Sequence, residues 1–212
     1  MSDYYAGQDL AKRRDFTALV IIRIEEQDDS DESIARVVGV KQWPHVDYNT
    51  IIQDTEALYE KYKWENLGLD KSTVGEAVIE QYDAKYIPVE GMAFTAQSKH
   101  DMVQFLLMLL QQKRLKLPRK GAEELKIQIQ EQERVYSTAG TMKYQHPENR
   151  HDDQFWALCL ALHVAKDDLV GKRTYPVVVS QRDDSNLKSR RPELDRPGIT
   201  IISEASNRDY LY

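Results

Sequence analysis

An almost wholly apolar segment, F-W-A-L-C-L-A-L at positions 155–162, restricts the fold of this chain more than any other feature. A helix that is apolar on every side has to be buried on every side. Two adjacent carboxylates, Asp152 and Asp153, stand where this helix begins. Cys159 is the only cysteine and lies among leucine and alanine, so we expect it to belong to the core rather than to act as a nucleophile. The fold must therefore enclose the helix and still bring two charges to its first turn.

The segments before this helix predict a sheet. Three runs rich in β-branched residues come first, and their short polar connections, including the acidic loop 25–32, predict an antiparallel meander. The later strand-like runs alternate with helical patterns, so we expect those strands to join in parallel. The expected fold class is α/β, with a mixed sheet (antiparallel meander plus parallel strands) flanked by helices. Strands are predicted at about 4–10, 16–24, 34–43, 66–70, 86–94 and 115–117, helices at 47–63, 74–82, 98–113 and 121–133, and a hairpin at 135–145 with its turn at Ala139-Gly140.

Composition predicts a globular domain over residues 1–180 and a polar, loosely ordered tail over residues 181–212. The hydrophobic share of 41% beside 30% charged residues is typical of a soluble protein. No apolar run is long enough to span a membrane, and the polar N-terminus is not a signal peptide, so no membrane partner is expected. The net charge of −6 argues against a nucleic-acid coat protein but is compatible with a nuclease, because bound cations supply the missing positive charge.

Acidic side chains recur where predicted strands end. Asp9 lies near the end of the first strand, and Asp70 ends the strand L-G-L-D. If these strands are parallel neighbours, both carboxylates lie at the same sheet edge. Each Asp alone is better explained by capping a turn or a helix than by metal binding. One Asp suffices for a cap, however, and Asp152 and Asp153 are two. Clustered carboxylates repel one another unless cations neutralise them, and hard oxygen ligands suit Mg²⁺ or Mn²⁺.

Four segments of the chain share a pattern with a known protein family: G-Q-D-L-A-K-R-R-D-F-T-A-L-V-I (7–21), L-D-K-S-T-V-G-E-A-V (69–78), F-T-A-Q-S-K-H-D-M-V (94–103) and G-T-M-K-Y-Q-H-P-E-N-R-H-D-D-Q-F-W-A-L-C-L-A (140–161). In their order and spacing they resemble the nuclease domain of the large subunit of viral terminases, the DNA-packaging motors of tailed viruses. The resemblance implies a ribonuclease H-like fold, two divalent cations (Mg²⁺ or Mn²⁺), and cleavage of concatemeric double-stranded viral DNA during genome packaging.

The same resemblance implies roles for individual residues. The metal ligands and catalytic residues would be Asp9, Asp70 and Asp153, with Asp152 assisting. Asp15 is an additional candidate ligand that could instead only shape the hairpin loop. From its position, His151 could orient a carboxylate or relay a proton, or be an exposed residue before the helix. Basic residues that could contact DNA phosphates, or could be solvated surface residues, are Lys12, Arg13, Arg14, Lys99, Lys143 and Arg150.

The chain lacks the phosphate-binding motif G-x-x-x-x-G-K-[ST] of a packaging ATPase. We therefore expect a nuclease domain that is separate from the motor and cannot pump DNA alone. The expected partners are double-stranded DNA, the terminase ATPase domain, the small terminase subunit and the portal, in the host cell cytoplasm during virus assembly. Two alternatives stay open: a Holliday-junction-resolvase-like nuclease of the same fold, and a non-catalytic packaging or portal-binding module whose Asp pair only caps a helix.

Overall fold

The strands and helices alternate along the chain much as the sequence predicts. The computed structural model describes residues 3–10, 16–27, 30–44, 46–71, 75–136, 142–148 and 150–170. Its strands are β1 (Asp3–Asp9), β2 (Phe16–Gln27), β3 (Ser30–Pro44), β4 (Asn66–Asp70), β5 (Val89–Met92), β6 (Leu115–Lys116), β7 (Glu133–Tyr136) and β8 (Met142–Gln145). Its helices are α1 (Tyr48–Tyr62), α2 (Gly75–Ala84), α3 (Ala96–Gln111), α4 (Glu123–Glu131), α5 (Asp153–Val164) and α6 (Lys166–Val170).

Six of these strands form one sheet in the order β5-β4-β1-β2-β3-β6, and β7 pairs with β8 in a separate hairpin. β1, β2 and β3 are an antiparallel meander. β4 joins β1 in parallel, β5 joins β4 in parallel, and β6 joins β3 in parallel. The predicted α/β class, a mixed sheet with a meander plus parallel strands, is therefore confirmed.

The sheet is covered on both faces. Successive residues of β2 alternate between the two cores, because side chains of a strand point to opposite faces in turn. Val20 and Ile22 pack in the core that α3, α4, α5 and α6 cover, whereas Leu19 and Ile21 pack in the core beneath α1 and α2. Buried residues on both faces explain why β2 reads as a continuous apolar run.

The apolar helix α5 lies at the centre of the first core. Every residue from Phe155 to Leu162 is buried, and the helix contacts β1, β2, β4, α3 and α4. Cys159 is 1% exposed and reduced, so its predicted core position is confirmed. The prediction that this helix must be enclosed on all sides is also confirmed.

Two local predictions were wrong. The acidic stretch 25–32 is not a solvated loop: β2 continues to Gln27 and β3 begins at Ser30. Cross-strand pairing explains the extension, since Arg36 donates two hydrogen bonds to the Glu25 carboxylate, at 2.8 Å and 3.0 Å. The helix α6 was also not predicted. This helix is stabilised by Arg114, a buried residue that precedes β6. The Arg114 guanidinium donates one hydrogen bond to the carbonyl of Leu169 in α6 and another, at 2.8 Å, to the carbonyl of Ser33 in β3.

Several sequence predictions fall outside the described residues. These are the proposed boundary at 180, the tail 181–212 and the hairpin turn at Ala139-Gly140, all of which stay predictions. Within the described residues, no helix has both the length and the apolar composition needed to cross a lipid bilayer.

Candidate active site

The parallel pairing of β1 with β4 brings two predicted carboxylates to one edge of the sheet. Gln8 of β1 is in register with Leu69 of β4, and Asp9 and Asp70 are the next residues and the last of their strands. Neighbouring strands are about 4.8 Å apart, and residues in register point to the same face. Asp9 and Asp70 therefore lie side by side at the carboxyl ends of these strands.

Two glycines allow α5 to pack unusually close to this edge. A Cβ atom on Gly7 would lie 2.1 Å from the carbonyl oxygen of Ala157, and one on Gly68 would lie 2.8 Å from the carbonyl oxygen of Leu160. Both distances are shorter than any van der Waals contact, so only glycine fits. Asp9 is two residues beyond Gly7 on the same strand face, and Asp153 is one helical turn before Ala157. The close packing thus brings the start of α5 over Asp9.

The electrostatics of Asp9 reflect this convergence. Burial raises its pKa well above the ordinary value, and the carboxylates of Asp153, Asp152 and Asp70 raise it further, in that order. The ammonium of Lys99 acts in the opposite direction and lowers the pKa. The four predicted acidic residues are therefore brought together and are not scattered over separate surfaces.

The adjacent carboxylates of α5 have different surroundings. Asp152 is the N-cap residue of α5, but its side chain makes no capping hydrogen bond. Instead its Oδ2 accepts hydrogen bonds from Trp156 Nε1 at 2.7 Å and from Gln132 Nε2 at 3.1 Å, while His146 Nε2 lies 3.7 Å from its Oδ1. Asp153 begins the helix and is only 7% exposed. Capping therefore does not account for the Asp152 side chain.

His151 lies beside Asp153, with its Nδ1 3.9 Å from Asp153 Oδ2. Its ring packs edge-on against Phe16, with centroids 4.6 Å apart and planes at 89°. The hypothesis that His151 accompanies a carboxylate fits this position.

The basic residues named from the sequence are not all at the site. The ammonium of Lys99 lies 4.3 Å from the centroid of the Trp156 ring, next to the acidic residues. Arg150 instead pairs with Glu131, at 3.3 Å, and Lys143 is exposed on β8. The remaining candidates lie outside the described residues, so their predicted roles stay predictions: Lys12, Arg13, Arg14 and Asp15.

Sequence reasoning missed Gln132 and the second role of Trp156. Trp156 was expected only to pack in the core, and it is indeed 3% exposed. Its spacing of four residues from Asp152 was a usable signal, since residues at i and i+4 meet on one face of a helix. Gln132 follows α4 and has no such signal, because it reaches Asp152 through tertiary packing alone.

The donor set suits hard divalent cations, which prefer carboxylate oxygens. Within the described ranges, no three His, Cys, Asp or Glu side chains are already arranged as a metal-binding group. The buried, mutually repelling carboxylates around Asp9 are the kind of arrangement that a cation stabilises.

Comparison with known proteins gives the same fold. The family model described as a terminase RNaseH-like domain matches residues 6–165. Among solved structures, the large terminase nuclease from thermophilic phage G20c superposes with a TM-score of 0.65 at 18% identity, covering 76% of this chain and 82% of that chain. The nuclease domain of the Thermus phage P74-26 large terminase superposes with a TM-score of 0.62 at 18% identity, covering 76% and 78%.

The complete large terminase of bacteriophage HK97 also superposes, with a TM-score of 0.62 at 18% identity, and the match covers 78% of this chain but 40% of that one. A comparison with curated proteins found no match. The family match extends over most of the described residues and includes Asp9, Asp70, Asp152 and Asp153. The chain therefore belongs to the terminase family with a ribonuclease H-like domain and has the fold of the terminase nuclease domains.

Proposed function

We propose that this chain is a metal-dependent endonuclease that cuts concatemeric double-stranded viral DNA during genome packaging. The observation that carries the proposal is the convergence of Asp9, Asp70 and the Asp152–Asp153 pair where β1, β4 and the start of α5 meet. Structures of the relatives support the choice of cofactor: the G20c nuclease is known with bound magnesium and with bound cobalt, and the SPP1 nuclease domain with manganese.

The position of each carboxylate in the fold suggests its role in metal binding. Asp9, on the β1 strand between β4 and β2, would be the shared ligand, with Asp70 and Asp153 on either side of it. Bound divalent cations supply the Lewis acidity for hydrolysis, by activating a water molecule and stabilising the charge on the departing oxygen of the DNA backbone. The start of α5 carries a partial positive charge, which attracts the negative charge of a carboxylate at that end of the helix. His151, with its Nδ1 3.9 Å from Asp153 Oδ2, would orient that carboxylate or relay a proton.

Asp152 would act mainly as a positioning residue. Its Oδ2 already accepts two N–H donors, one from Trp156 on α5 and one from Gln132 after α4. These bonds connect the start of α5 to the residue that follows α4 and hold the Asp152 carboxylate in place. Outer groups of this kind typically alter metal affinity or activity by about 10- to 100-fold when removed.

The experiment is plasmid cleavage by the purified chain with Mn²⁺ or Mg²⁺, compared with cleavage in EDTA. Asp9→Asn and Asp153→Asn should abolish cleavage, and Asp152→Asn should leave a residual rate about 10- to 100-fold below that of the unmodified chain. The control is Asp83→Asn, which makes the same substitution at an exposed position of α2 and should cut normally. Full activity of Asp9→Asn or Asp153→Asn would reject the assignment.

The substrate shape separates this proposal from its main alternative. Contacts to phosphates carry no sequence information, so linear duplexes of different sequence should be cut at similar rates. A Holliday-junction-resolvase-like enzyme would cut a four-way junction in strong preference to a linear duplex. A packaging or portal-binding module without catalytic activity would cut neither in the presence of Mn²⁺.

The proposed partners follow from membership of the terminase family. We propose that the chain acts on double-stranded DNA together with a terminase ATPase domain, a small terminase subunit and a portal, in the host cytoplasm. The match to the HK97 large terminase covers 40% of that protein.

A further inference from the structure

Lys99 is a basic side chain held at the acidic site rather than extended into solvent. Its Nζ lies 4.3 Å from the centroid of the Trp156 ring and 4.8 Å from that of the Phe94 ring. The aromatic faces attract an ammonium ion electrostatically, and the attraction grows as the ion loses water. Two rings on one ammonium therefore favour a single position for a side chain that is otherwise flexible.

The surroundings of Lys99 keep this position in place. Trp156 is buried, and its indole N–H donates to Asp152, which sets the orientation of the ring. The residues just before Lys99 form a capping box that defines the start of α3: Ser98 N donates to Thr95 Oγ1 at 3.0 Å, and Thr95 N donates to Ser98 Oγ at 2.9 Å. Both the ring and the first turn of the helix are thus fixed around the ammonium.

The ammonium of Lys99 lies near the acidic residues but is not paired with any one of them. The Trp156 ring beneath the ammonium donates its N–H to Asp152 Oδ2 at 2.7 Å, so the charge of Lys99 lies one ring away from that carboxylate. In the part of the chain that the structure describes, Lys99 nevertheless forms no salt bridge with an acidic side chain. A cation beside a carboxylate cluster but not paired with it is available to an anionic ligand.

We propose that Lys99 is a substrate-binding residue whose ammonium contacts a non-bridging oxygen of the DNA phosphate at the acidic site. The inference rests on the proposed nuclease function. A DNA phosphate that approaches this site meets a dense negative charge, and a chain with a net charge of −6 offers it little general attraction. A lysine is a compact point charge that suits a single phosphate oxygen. The Trp156 and Phe94 rings hold the ammonium in one position, which an exposed, flexible lysine does not have.

The proposal predicts opposite effects on DNA and on metal. Without the Lys99 charge, the KM for duplex DNA should rise by about tenfold, as expected for the loss of a hydrogen bond to a charged group. The slope of the logarithm of DNA affinity against the logarithm of salt concentration should fall by about 1. Mn²⁺ binding without DNA should instead become tighter by roughly two- to tenfold, because a repelling positive charge has been removed. A purely structural role would weaken DNA binding and metal binding together.

The test compares Lys99→Met, Lys99→Arg and Lys61→Met in the full chain. Lys61 is a matched control, because its ammonium also lies over an aromatic ring, 4.8 Å from the Tyr62 centroid, but on α1. Duplex binding is measured by fluorescence anisotropy at several salt concentrations in EDTA, Mn²⁺ binding by calorimetry, and KM and kcat by plasmid cleavage. Lys99→Met should show the three changes, Lys99→Arg should restore the salt slope, and Lys61→Met should match the unmodified chain.

Two results would overturn the proposal: an unchanged KM and salt slope in Lys99→Met, or a joint loss of DNA and Mn²⁺ binding with a lower melting temperature. Failure of the nuclease function itself has a different signature, since the unmodified chain would then neither bind Mn²⁺ nor cut DNA. The salt slope in EDTA still reports on Lys99 in that case, and no difference between Lys99→Met and the unmodified chain would reject its phosphate contact.

Discussion

At the scale of single residues, Gln8 and Asp9 show how the two faces of one strand differ: Gln8 anchors the strand in the core, and Asp9 belongs to the acidic site. They are neighbours on β1 and point to opposite faces of the sheet, so Asp9 faces α5 while Gln8 is buried beneath α1 and α2. Gln8 Nε2 donates to Thr55 Oγ1 at 3.2 Å, and Tyr82 donates to Gln8 Oε1 at 2.7 Å. This buried polar network fixes the strand that carries the central carboxylate.

Replacing Asp9 by Asn should make the protein more stable in the absence of metal. The buried carboxyl of Asp9 is repelled by Asp153, Asp152 and Asp70, and an amide removes that repulsion while keeping the shape. The melting temperature in EDTA should rise by roughly 2–4 °C for each kcal/mol of repulsion removed. Calorimetry checks this against Asp83→Asn, which should melt like the unmodified chain. A lower melting temperature for Asp9→Asn would mean that the carboxylates do not repel one another as described.

The buried hydroxyl of Tyr82 should make the folded protein less stable at high pH. Burial raises its pKa to about 12, although hydrogen bonds to Thr55 and Gln8 act to lower it. A tyrosine in the unfolded chain titrates near about 10. Between these values the unfolded state releases a proton that the folded state keeps, so stability falls as pH rises from about 10 to about 12. Below this window both states are neutral and Tyr82 adds no pH dependence.

Tyr82→Phe should reduce the fall in unfolding free energy with pH above about pH 10 by up to about 1.4 kcal/mol per pH unit. At neutral pH it should lower the unfolding free energy by about 1 kcal/mol, because Gln8 loses a hydrogen-bond donor. Urea unfolding between pH 8 and pH 11 measures both effects. Tyr86→Phe is the control, since Tyr86 is 89% exposed and should leave the slope unchanged. Equal slopes in the Tyr82 and Tyr86 variants would contradict the burial of the Tyr82 hydroxyl.

At the scale of elements, the site depends on how closely α5 packs against β1 and β4. Gly7→Ala should therefore strongly reduce both stability and cleavage. The new Cβ would lie 2.1 Å from the Ala157 carbonyl oxygen, so the helix would have to move. We expect the loss of cleavage together with a destabilisation of about 1–3 kcal/mol or more, as for other overpacked cores. Metal-dependent cleavage and urea unfolding are the measurements.

Gly39→Ala is the matched control on β3. Its Cβ would lie 3.3 Å from Ile21 Cδ1, a side-chain end that can move by the few tenths of an ångström required, and its contacts with Ile21 Cβ and Cγ1, at 3.6 Å and 3.7 Å, are ordinary van der Waals contacts. Cleavage by Gly39→Ala should be close to normal. Equal behaviour of the two glycine variants would show that close packing of α5 is not what positions the acidic residues.

The elements that sequence could predict were those set by local pattern. The burial of α5 followed from its composition, and the meeting of Asp9 with Asp70 followed from the rule that parallel strands end at one sheet edge. The contact between Gln132 and Asp152 could not be predicted, because it joins residues 20 positions apart through packing. Lys99 was a candidate phosphate contact, but its position over two rings, one on α5 and one between β5 and α3, could not be predicted, and neither could the role of Gly7, which depends on the path of a distant helix.

At the scale of the whole molecule, a six-stranded sheet carries a site made from three separate segments of the chain. β1, β4 and α5 each contribute acidic side chains, and the helices on both faces bury the strands that hold them. A cation bound only to this folded arrangement would stabilise the whole molecule by mass action, by about 2.7 kcal/mol at a hundredfold excess over its Kd.

The most direct test is a crystal of the chain soaked in Mn²⁺ and measured at the manganese absorption edge. We expect two anomalous peaks about 3.5–4 Å apart, with carboxylate oxygens of Asp9, Asp70 and Asp153 within coordination distance. An Asp9→Asn crystal treated in the same way should lose at least one peak. Anomalous peaks located away from these three side chains, or none at all in the unmodified protein, would contradict the central claim that the converging carboxylates form a metal site.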